Sequence, residues 1–196
     1  MLEEEAQAPC LAMASHTLWW PSDGTVRGTA GADQITGIQI NEIILALAGD
    51  DAVQAGRGSA RVYGQGGADR LFGEAGADAL VGGAGKDRQY GGLDDRTDVF
   101  VFAVRAESVA GAERDLVFDF IRGIDDLDLK GIDARPTTAG DDAFAWTGQT
   151  AAAHAVWWKL TTEGVLVRAD VNGDAAADFK VVLKGVTSFG AADVLL

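Results

Sequence analysis

The chain has 196 residues, 47% of them hydrophobic, so it can bury a core of its own. Its formal net charge of −14 is expected to repel nucleic acid and anionic membranes and to attract cations. The one cysteine, Cys10, excludes an intrachain disulfide. No apolar run approaches the roughly 20 residues that a membrane-spanning helix needs, so membrane insertion is not expected.

Residues 1–24 carry no repeat, and we interpret them as a tail or as an edge strand through HTLWW. Their beginning, MLEEEAQAPCLAM, is acidic and lacks the apolar run of a cleaved signal peptide. Cys10 and His16 lie here without a third group to complete a nucleophilic site, so a catalytic pair is not favoured.

Residues 25–102 repeat with a period of nine, in two registers. The apolar register is Val26, Ile35, Ile44, Val53, Val62, Leu71 and Leu80, with Gln89 in the next place. The acidic register is Asp33, Glu42, Asp51, Ala60, Asp69, Asp78 and Asp87. Glycines fill the positions between them, at a density that disfavours a helix.

A nine-residue unit suits a short strand, with its apolar residue pointing inward, followed by a tight glycine turn. Two units then close one coil of a flattened solenoid, whose apolar residues are buried only by stacking on neighbouring coils. The period therefore predicts a flattened solenoid of short strands.

In such a solenoid, the turns on one side belong to alternate units, which divides the acids into two rows. The first acidic row is unbroken and contains Asp33, Asp51, Asp69 and Asp87; the second is predicted to run Glu42, Ala60, Asp78, Arg96. Carboxylates about 4.8 Å apart repel by about 3.5 kcal/mol at an effective dielectric constant near 20. A divalent cation between turns removes this repulsion, and calcium fits an all-oxygen site better than magnesium or zinc.

After residue 102 the glycine repeats end, and residues 103–196 alternate as strands do. We predict a second β domain here, an antiparallel or mixed β-sandwich that caps the roll. A short helix is possible between Arg105 and Arg114. The predicted fold class is therefore all-β, with domains at 1–24, 25–102 and 103–196.

The units at 28–36, 46–54, 64–72, 73–81 and 82–90 resemble the GGxGxDxUx nonapeptide of the RTX (repeats-in-toxin) family. The resemblance implies a calcium-filled parallel β-roll. It implies side-chain ligands at Asp33, Asp51, Asp69, Asp78 and Asp87. It also implies carbonyl ligands at the fourth-place glycines Gly31, Gly49, Gly67, Gly76 and Gly85.

Three units depart from the motif. The unit at 37–45 has Glu42 in place of aspartate, and the unit at 55–63 has Ala60. The unit that begins at residue 91 contains a short insertion, so Asp94, Asp95 and Asp98 compete for the acidic place. We therefore expect calcium mainly along the first acidic row and sparsely along the second, near Asp78.

Residues 98–186 resemble the C-terminal domain of serralysin-type secreted metalloproteases. The resemblance rests on DVFVF, on DLVFDFIRGIDDLDLKGID and on RADVNGDAAADFKVVLKGV. It implies a secreted protein that a type I exporter recognises through its C-terminus, where AADVLL ends the chain; Asp193 and Leu196 would be the residues to test.

The DVNGDAAAD segment places Asp170, Asn172, Asp174 and Asp178 at alternate positions. The first three match the opening of an EF-hand loop, but Ala175 and Val181 replace its glycine and its bidentate glutamate. A polar hairpin tip is the first interpretation, and a weak calcium site is the second.

A serralysin protease site needs three histidines around HExxH, and the chain has only His16 and His154. The sequence thus favours a non-catalytic, secreted calcium-binding protein whose folding is driven by extracellular calcium. The alternative is an accessory module that modulates a partner enzyme or binds an acidic polysaccharide through calcium.

Overall fold

The computed structural model of the protein describes residues 24–37, 41–108 and 114–196. The tail or edge strand predicted for the start of the chain, with Cys10 and His16, lies outside the described residues. Across the described ranges the secondary structure consists of short strands and two single turns of 3₁₀-helix, Arg105–Glu107 and Ala191–Asp193. No described helix has the length and apolarity required to span a bilayer.

The described strands are numbered in chain order. The first eight are β1 (Thr25–Arg27), β2 (Gln34–Thr36), β3 (Ile43–Leu45), β4 (Ala52–Gln54), β5 (Arg61–Gly66), β6 (Arg70–Phe72), β7 (Ala79–Ala84) and β8 (Arg88–Tyr90). The others are β9 (Val99–Val101), β10 (Leu116–Phe118), β11 (Asp126–Asp128), β12 (Ala145–Trp146), β13 (Ala155–Thr161), β14 (Gly164–Ala169), β15 (Phe179–Lys184) and β16 (Val194–Leu195).

The strands form two sheets, and successive strands of the repeat region alternate between them. The seven-stranded sheet has the order β1-β3-β5-β7-β9-β11-β16, and the nine-stranded sheet has the order β12-β13-β14-β15-β10-β8-β6-β4-β2. Every pair among β1 to β8 is parallel, with partners 18 residues apart, such as Ile44 with Val62 and Val53 with Leu71. Two nine-residue units therefore make one coil, as the period predicts.

The apolar register points between the sheets and forms the core. Ile44, Val53, Val62, Leu71 and Leu80 are all 0% exposed. A three-residue strand has room for only one inward side chain, since neighbours alternate between faces. The strands of each coil thus contribute two large core residues, which the adjacent coils must cover.

The second half of the chain continues both sheets. Strands β11 and β16 extend the seven-stranded sheet in parallel, and β10 and β15 extend the nine-stranded sheet in parallel. Among the described strands, only β13, β14 and β15 pair antiparallel. Phe100 and Phe179 belong to the same buried cluster as the apolar residues of the repeats. The predicted all-β fold, a parallel roll with a mixed sheet after it, is confirmed.

Glycines in the turns let neighbouring coils approach each other closely. Gly67 has φ of 135°, and a Cβ on it would run into the carbonyl group of Gly49 in the preceding coil. Only glycine allows coils to stack this closely.

Outside the repeats, the helix predicted between Arg105 and Arg114 is a single 3₁₀ turn, Arg105–Glu107, while 109–113 lie outside the described residues.

Candidate metal centre

The acids of the repeats lie in the turns, immediately before the strands, and are buried. Each acid comes two residues before the inward position of the next strand, as Asp69 does before Leu71, so its side chain also faces the inside of the roll. The buried acids along the two rows, each at most 8% exposed, are Asp33, Glu42, Asp51, Asp69, Asp78, Asp87, Asp98, Asp115 and Asp125.

The first acidic row is held by one repeated hydrogen bond. The backbone N–H of Asp33 donates to Oδ1 of Asp51 over 2.7 Å, and the N–H of Asp51 donates to Oδ1 of Asp69 over 2.9 Å. The N–H of Asp69 donates to Oδ1 of Asp87 over 2.8 Å. The row then continues beyond the repeats, because the N–H of Asp87 donates to Oδ1 of Asp115 over 2.8 Å.

The second acidic row differs from the prediction, which placed Arg96 after Asp78. The N–H of Asp78 donates to Oδ1 of Asp98 over 2.9 Å, and the N–H of Asp98 donates to Oδ1 of Asp125 over 3.0 Å. The step from Asp78 to Asp98 spans 20 residues rather than 18, since the insertion after Gly91 bulges outward. Arg96 lies on that bulge, exposed beside Asp95.

The insertion also separates its three candidate acids. Asp98 occupies the acidic place of the coil and is 2% exposed. Asp94 instead accepts hydrogen bonds from the backbone N–H groups of Gly76 and Arg96. The side chain of Asp95 is 94% exposed. Of the three, only Asp98 faces the inside of the turn.

The second carboxylate oxygen of the interior acids has no partner within the described part of the chain. Oδ2 is buried and unbonded in Asp51, Asp69, Asp78, Asp87 and Asp115. A buried unpaired carboxylate oxygen is costly, because it has lost water without gaining a donor. Oxygens of this kind, repeated in register, can ligate a hard cation.

Two acids at the ends of the rows are different. In Asp33, Oδ2 accepts from the N–H and the hydroxyl group of Thr29, over 2.6 and 2.9 Å. In Asp125, Oδ2 accepts from the N–H of Ile121 over 2.6 Å. These two carboxylates are satisfied by their own turns, unlike the five whose Oδ2 has no hydrogen-bond partner among the described residues.

Glycine makes room for the open oxygens. A Cβ on Gly73 would lie 2.7 Å from Oδ2 of Asp78 and 2.8 Å from the carbonyl oxygen of Gly91. A Cβ on Gly64 would likewise meet Oδ2 of Asp69 and the carbonyl oxygen of Gly82. A carboxylate oxygen and a carbonyl oxygen of the next coil therefore converge on the space that the first-place glycine leaves free. Two hard oxygen donors brought together in this way suit calcium.

The burial of the acids raises their pKa values. Desolvation raises the pKa of Asp51, Asp69, Asp78 and Asp87 to about 6 each, and a nearby carboxylate adds to the shift of each. The same two causes raise the pKa of Asp98 to about 7 and that of Asp115 to about 8. Without a counter-cation, the roll thus resists the ionisation of its own acids.

Side chains alone do not complete a metal site in the described ranges, where no group of three or more His, Cys, Asp or Glu residues is arranged to hold an ion. Backbone carbonyls must supply the remaining ligands. Those of Gly49 and Gly67, two of the predicted carbonyl donors, are directed at the fourth-place glycine of the next coil. Gly31, Gly76 and Gly85 occupy the same place in their own turns.

Sequence reasoning missed two acids of the rows, since they lie outside the nonapeptide pattern. Asp115 and Asp125 each come two residues before an inward apolar residue, Val117 and Leu127. This D-x-apolar-x signal is the end of the nonapeptide without its glycines. Glu107, also buried, lies close enough to Asp87 and Asp115 to raise their pKa values.

In the loop from Asp170 to Asp178, the aspartates accept hydrogen bonds from nearby backbone N–H groups. Asp170 accepts hydrogen bonds from the N–H groups of His154, Asn172, Gly173 and Ala175, which hold its pKa low. Asp178 accepts from the N–H of Val171, and Asp174 from the N–H of Ala176. This is the hairpin tip of the first interpretation, and calcium at this loop stays a prediction.

The C-terminal residues proposed as an export signal are packed into the fold. Asp193 is buried, accepts from the N–H groups of Gly123 and Gly190, and pairs with Arg122 at 3.2 Å. After it, β16 pairs with β11 and closes one edge of the seven-stranded sheet. The last residue, Leu196, packs against the core.

A two-sheet coil with glycine turns and in-register buried carboxylates defines a calcium-binding parallel β-roll protein. The family model for the serralysin C-terminal domain of peptidase family M10 matches residues 31–196, and the chain belongs to that family. The model for the RTX calcium-binding nonapeptide repeat, in four copies, matches residues 22–37. Both predicted resemblances, and calcium as the cofactor, are confirmed.

Two solved structures resemble the fold, both of them modules of the mannuronan C5-epimerase of Azotobacter vinelandii. The AlgE6R2 subunit is 25% identical with a TM-score of 0.54, and the match covers 87% of this chain and 91% of that one. The AlgE6R3 subunit is 22% identical with a TM-score of 0.46, covering 87% and 76%. No curated protein sequence matches the chain.

Proposed function

We propose that this protein is a non-catalytic, secreted calcium-binding protein whose folding is driven by extracellular calcium. The observation that supports it most is the buried Oδ2 atoms that lack a hydrogen-bond partner among the described residues, four along the first acidic row and that of Asp78 in the second. Calcium would be held by Asp51, Asp69 and Asp87 in the first row and by Asp78 in the second, with Asp33 at the end of the first. The carbonyl groups of the turn glycines would complete each shell.

The chemistry that calcium supplies is neutralisation of the acids, which lets the apolar register stack. At low intracellular calcium, repulsion along the rows would keep the coils open. Extracellular calcium-binding modules have dissociation constants of about 10⁻⁴–10⁻³ M. Each site at ten times its dissociation constant adds about 1.4 kcal/mol to the free energy of unfolding, so several sites together favour the folded roll.

Secretion by a type I exporter is part of the proposal and rests on family membership. An unfolded chain is what such an exporter threads, and calcium outside the cell would then fold it. The absence of the HExxH motif from the sequence supports a non-catalytic role.

Calorimetry tests the calcium step. The protein is stripped with a chelator, and its melting temperature is measured in calcium-free buffer, in calcium and in magnesium. Calcium is expected to raise the melting temperature by many degrees and magnesium by much less, because magnesium demands stricter octahedral geometry. An unchanged melting temperature in calcium would sink the proposal.

A second function is favoured by the likeness to the AlgE6R2 subunit of an epimerase. This protein would then be an accessory module that modulates a partner enzyme or binds an acidic polysaccharide. A glycan array probed with the protein, in calcium and in chelator, separates this function from calcium-driven folding alone. Binding to no acidic glycan in either condition counts against the polysaccharide form of it.

A further inference from the structure

Charge is strongly segregated on this molecule. The chain has 30 acidic and 16 basic residues, yet none of the residues in the nine strands of the larger sheet is an aspartate or a glutamate. The acids of the repeats lie in the turns, at the edges of the roll. The outer face of the nine-stranded sheet is therefore free of strand carboxylates on a protein whose net charge is −14.

Six cations occupy that outer face, which we term the basic face. They follow from the alternation of strand residues, since their neighbours Leu71, Val167, Val181 and Leu183 point into the core. The basic face consists of Arg70, Arg88, Lys159, Arg168, Lys180 and Lys184.

Two of these cations are direct neighbours without a counter-charge. Arg70 on β6 is in register with Arg88 on β8, so their Cα atoms are about 4.8 Å apart. Neither forms an ion pair with any described residue, and Arg70 is exposed. Like charges placed side by side without a counter-charge form a ready anion site.

The other end of the face repeats the arrangement. Arg168 on β14 is in register with Lys180 on β15. The Nε of Arg168 is buried and has no hydrogen-bond partner in the described part of the chain. Lys159, on β13, is exposed, and only Lys184 faces an acid, Glu163, at 3.9 Å.

A row of aromatic side chains runs beside the arginines. Phe72 and Tyr90 are stacked with ring centroids 4.4 Å apart, and Tyr90 stacks on Phe118 at the same distance. All three are only half-buried. They give the basic face an apolar strip that runs across the strands beside the Arg70–Arg88 pair.

We propose that the basic face binds a linear glycan that carries carboxylate groups, laid across the strands. The guanidinium groups of Arg70 and Arg88 pair with successive carboxylates, since a guanidinium fork matches a carboxylate in two hydrogen bonds. The half-buried rings contact the apolar edges of the sugar units. This inference deepens the accessory-module function and assigns it to a surface distinct from the calcium-binding turns.

The charge spacing selects this polymer over other polyanions. Double-stranded DNA carries one charge per about 1.7 Å, far denser than cations set at strand spacings of about 4.8 Å. A denser polyanion would also be repelled by the acids in the turns. An anionic membrane extends past the sheet in every direction and meets those acids too. A single chain with one carboxylate per sugar avoids them.

The test measures binding of short oligogalacturonates to the calcium-loaded protein at fixed free calcium. The variant R70E/R88E is compared with R27E/R61E, which changes two exposed arginines on the outer face of the seven-stranded sheet. Both variants alter the net charge equally. We expect R70E/R88E to bind about tenfold or more weakly and R27E/R61E to change affinity by less than about twofold.

Three results would overturn the proposal. They are equal losses in the two variants, unchanged binding by R70E/R88E, and binding of phosphatidylglycerol vesicles in preference to oligogalacturonate. Unchanged binding would mean that calcium bridges the glycan instead. Melting temperatures with and without calcium, recorded for each variant, separate a failure here from a failure of calcium-driven folding.

Discussion

At the scale of single residues, an acid of the rows acts through two different oxygens. In Asp69, Oδ1 accepts the N–H of Asp51 and Oδ2 is left open. The first contact fixes the register of two coils, and the second creates a demand for a cation. An asparagine in this place would keep the first function and lose the charge that gives the second.

The two rows predict unequal effects of removing one acid. Asp69 has acidic neighbours in both adjacent coils, Asp51 and Asp87, whereas Asp78 has Asp98 on one side and Ala60 on the other. Asp69→Ala is therefore expected to raise the calcium concentration at the folding midpoint more than Asp78→Ala does. Circular dichroism during calcium titration measures both midpoints, and equal shifts would contradict the difference between the rows.

Gln89 offers a second prediction at this scale. It occupies the apolar register between Leu71 and Val117, is 0% exposed, and its amide has no hydrogen-bond partner in the described ranges. Gln89→Leu should stabilise the protein by about 1–3 kcal/mol, because a buried unpaired polar group is removed at similar volume. Urea unfolding measures the change. Gln89→Ala, which leaves a cavity, is the control and should not stabilise to the same extent.

At the scale of elements, the rows join the repeats to the strands that follow. Asp115 precedes β10 and receives the N–H of Asp87, which precedes β8. Asp125 precedes β11 and receives the N–H of Asp98, which precedes β9. The same N–H to carboxylate hydrogen bond thus forms both inside the nonapeptide repeats and in the strands after them, which lack the repeat glycines.

Asp115→Asn should therefore have opposite effects in the two metal states. The amide oxygen of the asparagine can still accept the N–H of Asp87. The substitution removes a buried carboxyl group whose pKa is raised by burial to about 8. We expect a higher melting temperature than the wild type in calcium-free buffer and a smaller rise when calcium is added. Differential scanning calorimetry in both conditions checks this, and a lower melting temperature without calcium would refute it.

The sequence predicted these elements unevenly, for physical reasons. The nine-residue period fixed the inward residues and the first acidic row, since both depend only on local spacing. It misplaced Arg96, because the outward bulge after Gly91 restores the register and spacing alone does not reveal it. It missed Asp115 and Asp125, which reach the rows through strand pairing. The sequence did not predict the basic face, because that face is assembled by the pairing of β10 with β15 and the net charge of the chain is negative.

At the scale of the whole molecule, the buried acids make the calcium-free protein sensitive to pH. Their pKa values are raised, to about 6 in Asp69 and about 7 in Asp98, so the folded state binds more protons than the unfolded chain above about pH 4. The stabilisation of the folded state by protonation of these acids is complete below that pH. It is lost as the pH rises through the pKa values of the folded protein.

Without calcium, the melting temperature should therefore be higher near about pH 5 than near about pH 8. With saturating calcium the order should reverse, because protons compete with calcium for the same oxygens. Thermal unfolding at both pH values, in each metal state, measures this. A calcium-free protein that is more stable at the higher pH would be inconsistent with buried acids in these positions.

The hydrogen bond between coils has a direction. Along the first acidic row, each backbone N–H is donated to the carboxylate of the coil that follows in the sequence. Because the offset within the repeats is 18 residues, inserting or deleting a pair of nonapeptides leaves the contacts at both ends unchanged. The number of coils in the roll can therefore change while the strands at its two ends stay the same. The number of calcium sites would change with it, one coil at a time.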